Sequence, residues 1–70
     1  MNKAIQDCEA NITRLTDDLH VIDEAIRNAQ TAGELQRQTN YKATTTTARD
    51  GEYDKLRRLQ SEQAIAEAQQ

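Results

Sequence analysis

The chain is predicted to be mainly α: two long helices folded back as an antiparallel, coiled-coil-like hairpin, with a threonine-rich interruption, associated into an oligomer. Three observations predict it. Apolar residues recur at 3,4 spacing through the first thirty positions, and the two halves carry opposite net charge. Seventy residues with 36% apolar content and neither Trp nor Phe also leave little material for a core. A chain this short buries only about 60% of the surface its unfolded form exposes, so it forms one small domain that needs a disulfide, a metal or association. Cys8 and His20 are single residues of their kind, so neither an internal disulfide nor an ordinary four-ligand zinc site can be built. Association remains.

The first helix is predicted over about 3–32. Ile5, Cys8, Ile12, Leu15, Leu19, Ile22, Ile26 and Ala29 occupy every a and d position of more than three heptads, the pattern of a helix packing knobs into holes against another helix. Asn2 can cap its start, and Gly33 can supply the left-handed residue that commonly ends a helix. Thirty residues make a rod of about 45 Å, too long for a compact globule of this size.

Charge decides what that helix pairs with. In a parallel homodimer Asp18 at g would face Asp23 at e of the partner, a like-charge contact. Residues 1–33 hold three basic and six acidic groups, net −3, whereas 35–58 hold six basic and three acidic, net +3. An antiparallel fold-back of the first helix onto the basic stretch is therefore favoured, although each exposed pair contributes little.

A threonine-rich connector is predicted over about 39–49, because four consecutive β-branched residues cost a helix roughly 2–3 kcal/mol relative to alanines. If this stretch is helical after all, Tyr41, Thr45 and Ala48 are expected to face Ile26, Ile22 and Leu19 across a turn at Gly33. If it is extended, Leu35–Thr39 and Lys42–Thr47 can form a short hairpin, giving the alternative helix–β-hairpin–helix (α+β) fold. That hairpin lacks the Asn-Gly or Asp-Gly pair such turns favour. A second helix is predicted over about 51–68, capped by Asp50, with Glu52 and Asp54 in its first turn and Tyr53, Leu56, Leu59, Gln63 and Ala66 at helical spacing.

No motif spells out catalysis, a cofactor or a metal. Cys8 and His20 lie twelve residues apart on one helix, about 18 Å, and cannot act together within a chain. Asp17-Asp18 and Asp23-Glu24 diverge on an exposed helix face, whereas acid–base chemistry needs convergent carboxyls. The Asp50, Glu52, Asp54 series resembles the start of a calcium loop, but Ser61 stands where the bidentate Glu is required. Tyr41, Lys42, Arg49, Tyr53, Arg57 and Arg58 offer cations and stacking rings to a ligand such as a nucleotide. A net charge of −3 argues against nucleic acid as a partner. The uncharged runs are too short for a membrane span, and the N-terminus lacks the apolar core of a signal peptide.

The order of a first helix ending in "AIRNAQTAG", a threonine stretch "KATTTTARDGEY" and a second helix "DKLRRLQSEQ", with Gly33 and Leu56 as landmarks, resembles the small head–tail joining proteins of tailed phages, the lambda gpW type. That resemblance covers about residues 22–62 and implies a helix, β-hairpin, helix unit acting in a ring at a capsid portal; it carries over no functional residue. The expectation is a non-enzymatic structural or adaptor protein that assembles with itself or another protein through the Ile5–Ala29 seam, as a small component of a phage virion or other large complex. Its location is then the cytoplasm, or the virion if phage-encoded. The alternative is a small oligomeric inhibitor or sponge binding a nucleotide or a host protein.

Overall fold

A computed structural model describes residues 2–69. It consists of two helices, α1 (Lys3–Arg27) and α2 (Ala32–Ala68), packed against each other as an antiparallel hairpin. The described residues contain no strand. The rod measures 59 × 16 × 12 Å, with a radius of gyration of 16.6 Å, against about 11 Å for a compact chain of this length.

α1 starts where expected. The Asn2 side chain accepts hydrogen bonds from the backbone N–H of Ala4 and Ile5, at 3.0 and 3.3 Å, satisfying two of the first-turn donors that have no partner within the helix. It ends five residues earlier than the predicted 32, with Asn28 closing the last turn in helical conformation. Gly33 is not the stop: no described glycine has positive φ, and Gly33 lies in the first turn of α2.

The connection is instead set by a helix start. Thr31 takes an extended conformation and its hydroxyl accepts from Glu34 N–H at 3.1 Å, while the Glu34 carboxylate reaches back to Gln30 N–H at 3.2 Å. This is a capping box displaced by one residue. Two local interactions thus end the four-residue connection 28–31 and begin α2, which then runs for 37 residues without a break.

The predicted connector 39–49 lies inside α2, and the helix predicted to begin at Asp50 is the continuation of one already under way. The threonines are accommodated in three ways. Thr44 and Thr47 donate their hydroxyls to the carbonyls of Asn40 and Ala43, at 3.1 and 3.0 Å, and Thr45 and Thr46 are half-buried. Initiation by the capping box also makes each further residue cheaper to add than a separate nucleus. A short hairpin would have had no apolar face to pack, since two strands alone are marginal in water.

Gly51 lies in the middle of α2, and a Cβ there would meet nothing within 4 Å. Gly51→Ala is expected to stabilise the hairpin by about 0.5–1 kcal/mol, because alanine loses less backbone freedom on entering a helix. Thermal unfolding followed by circular dichroism checks this, as a rise of several degrees in Tm.

Candidate interaction face

Seven residues of the apolar seam, from Ile5 to Ile26, lie on one side of α1, while the eighth, Ala29, falls in the connection beyond its end; α2 covers only part of the seam. Cys8, Ile12 and Leu19 are 1%, 9% and 7% exposed, and among the described residues they form the core. Ile5, Leu15, Ile22, Ile26 and Ala29 are only half-buried. At 100° per residue, Leu15 and Ile22 sit about 40–60° round the helix from the buried three, on the flank that also carries Asn11.

The reason lies in α2. Residues 38, 42, 45, 49, 52, 56 and 59 follow the same 3,4 spacing, and all but Lys42 are half-buried. In sequence this stripe reads Gln38, Lys42, Thr45, Arg49, Glu52, Leu56, Leu59, so the apolar seam of α1 is met by a mainly polar one. The expected facing of Tyr41, Thr45 and Ala48 is corrected accordingly. With the turn at 28–31 rather than Gly33, Thr45 faces inward, while Tyr41 and Ala48 are exposed on the α2 flank marked by Glu52.

Polar contacts fix the register of the two helices. The Cys8 thiol donates to Glu52 Oε2 at 3.0 Å and lies 3.1 Å from the Glu52 carbonyl oxygen. Asn11 Nδ2 donates to Glu52 Oε1 at 3.5 Å. Burial pushes the thiol above its ordinary value of 9.0, and the hydrogen bond and charge of Glu52 push the same way. The sulfur is a neutral donor and not an activated nucleophile. Asp23 and Lys42 form the interhelical ion pair found among the described residues, at 2.8 Å, and the hydrogen bond from Lys42 holds the Asp23 carboxyl below its ordinary value of 3.8.

Arg49 is the weak point of the interface. Its Nε is buried with no hydrogen-bond partner, in the middle of the α2 stripe that faces the apolar seam.

The six residues considered for an anionic ligand do not converge. Tyr41 and Tyr53 are exposed but separated by twelve residues of one helix, about 18 Å. Lys42 is engaged by Asp23 and Arg57 by Asp54, Arg49 is turned into the seam, and Arg58 is exposed. Cys8 is buried while His20 is exposed, and the described residues contain no cluster of three groups able to hold a metal. A cavity of about 420 Å³ lies elsewhere, an open notch lined by Ile5, Gln60, Gln63, Ala64 and Glu67. From Gln60 onward every described residue is exposed, as α2 runs past the start of α1. No described helix is long and apolar enough to cross a membrane.

Two features of this face escaped the sequence reading: the half-buried, inward position of Glu52 and its contact with Asn11. The 3,4 spacing from Gln38 to Leu59 would have pointed to Glu52, had polar residues been admitted to the stripe. No protein-family model, curated protein or solved structure matches the chain, and the functional reading rests on this geometry.

Proposed function

We propose that the chain is a non-enzymatic structural or adaptor protein, a helical hairpin that assembles through the α1 seam as a small component of a larger complex such as a phage virion. The observation that carries this reading is the incomplete cover of the seam. Five of its eight apolar residues stay partly open after α2 has packed. Fully burying an aliphatic side chain of this size contributes about 1.5–3 kcal/mol relative to exposure. Completing the cover of Ile5, Leu15, Ile22 and Ile26 therefore offers several kcal/mol to any surface that fits. The virion setting is supported by the order of sequence elements alone, and the seam does not depend on it.

The test is the native mass of the tagged chain in extracts of its own cells, compared with that of a variant carrying Leu15→Asp and Ile22→Asp. Neither residue belongs to the buried core, so the variant hairpin is expected to keep its helicity while its native mass drops to that of a single chain. A folded variant that retains the wild-type native mass would sink the reading.

A further inference from the structure

We propose that the open flank of the hairpin is covered by a second copy of this chain, each α1 packing against the partner's α2 to make an antiparallel four-helix bundle. The proposal rests on the docking-face reading and names its occupant. Both helices put apolar residues on this flank beside the Asn11–Glu52 contact: Leu15 and Ile22 are half-buried on α1, and Tyr41 and Ala48 are exposed on α2.

Area gives the first argument. A compact protein of 7.9 kDa exposes about 4,400 Å², whereas the hairpin exposes 5268 Å². The surplus of about 900 Å² is close to the roughly 800 Å² that each partner contributes to a standard stable interface.

Charge gives the second argument and the orientation. α1 carries three bases and six acids, net −3, and residues 35–58 of α2 carry net +3, yet Asp23–Lys42 is the interhelical ion pair among the described residues. The exposed acid Asp18, beside Ile22 on the α1 flank, and the exposed bases Arg37 and Lys55, beside Ala48 on the α2 flank, make no ion pair among the described residues. A second copy brings both signs. Packing α1 on the partner's α2 sets net −3 against net +3 at two symmetric contacts, whereas packing α1 on α1 sets net −3 against net −3.

The mass of the purified chain by sedimentation at about 100 μM, where a dimer of micromolar affinity is formed, is expected to be twice the 7.9 kDa of one chain. A charge-exchange experiment tests the orientation. One variant carries Asp18→Lys, the other Arg37→Glu and Lys55→Glu. Each alone is expected to dimerise at least tenfold more weakly, because like charges meet at both contacts. Their equimolar mixture is expected to recover a dimer, because opposite charges then meet at both. All three positions are exposed, and far-ultraviolet circular dichroism verifies that each variant is folded. A monomeric wild-type chain overturns the second-copy proposal, while a large native mass in cell extracts would still uphold the docking face for another partner. A trimer or larger species, or variants that dimerise normally alone, or a mixture that stays monomeric, also overturns it.

Discussion

Leu19→Ala is expected to lose the hairpin's cooperative fold, lowering stability by about 2–4 kcal/mol. Removing a buried Leu side chain costs its transfer free energy plus the cavity left behind. A domain of this length is stable by only about 3–10 kcal/mol in total. The effect is large because, among the described residues, the core consists of Cys8, Ile12 and Leu19, with no second layer to close over the gap. Urea unfolding monitored at 222 nm is the check: the midpoint should fall sharply, and the native baseline should shorten or vanish at room temperature. Ala in place of the exposed Val21, two residues away and 68% exposed, should leave the midpoint nearly unchanged.

Arg49→Met is expected to act in the opposite direction, raising stability by about 1–3 kcal/mol. A buried donor without a partner costs that much, and the Arg49 Nε is such a donor. Methionine keeps much of the aliphatic length of the arginine, adapts to irregular gaps, and presents only apolar atoms to the α1 seam. The charge that is lost makes no ion pair among the described residues. For a domain of this size each kcal/mol moves Tm by about 4–8 °C, so the gain should be plain in a thermal melt. A melting temperature lowered by this substitution would mean that the guanidinium contributes more through its outer nitrogens than the buried Nε costs.

How much of the fold was legible depended on whether local chemistry and tertiary contact pointed the same way. In α1 they agreed: every a and d position is apolar, and Asn2 is a strong cap, so the helix, its start and its buried stripe could be read directly. In α2 they conflicted. The stripe from Gln38 to Leu59 has helical spacing, but Gln38, Lys42, Thr45, Arg49 and Glu52 are polar, and a search for apolar periodicity passes over them. Propensity then weighed against Thr44–Thr47, although a helix already initiated can absorb β-branched residues whose hydroxyls bond the preceding turn. The turn was misplaced because Gly33 suits a helix stop, while the Thr31 and Glu34 pair that starts the next helix lies two residues to one side and one to the other. A shift of the turn by a few residues rotates every contact after it, which is why Tyr41 and Ala48 were expected inside and are found outside.

The candidate face was legible in the same unequal way. Its α1 half follows from spacing alone. The Glu52 contact with Cys8 and Asn11 does not: the 3,4 spacing places Glu52 in the stripe, but which α1 residues it meets emerges only once the register is fixed. The polar stripe also explains why the seam remains partly open. Glu52, Lys42 and Asn11 fix which turns of the two helices meet, in the manner of a polar residue that specifies coiled-coil register at a cost in stability, and they leave too little apolar surface on α2 to cover Leu15 and Ile22.

The central claim is that the apolar face of α1 is completed by association with another copy, so that folding and assembly are linked. Anything that binds the folded chain but not the unfolded one raises the melting temperature with its concentration. The most direct measurement is therefore the thermal midpoint of the purified wild-type chain over a roughly 100-fold range of protein concentration, beside that of the Leu15→Asp, Ile22→Asp variant; a dimer linked to folding gains about 2.7 kcal/mol across such a range. The midpoint of the wild type should climb by many degrees while that of the variant stays fixed. A wild-type midpoint that is the same at every concentration would contradict the account.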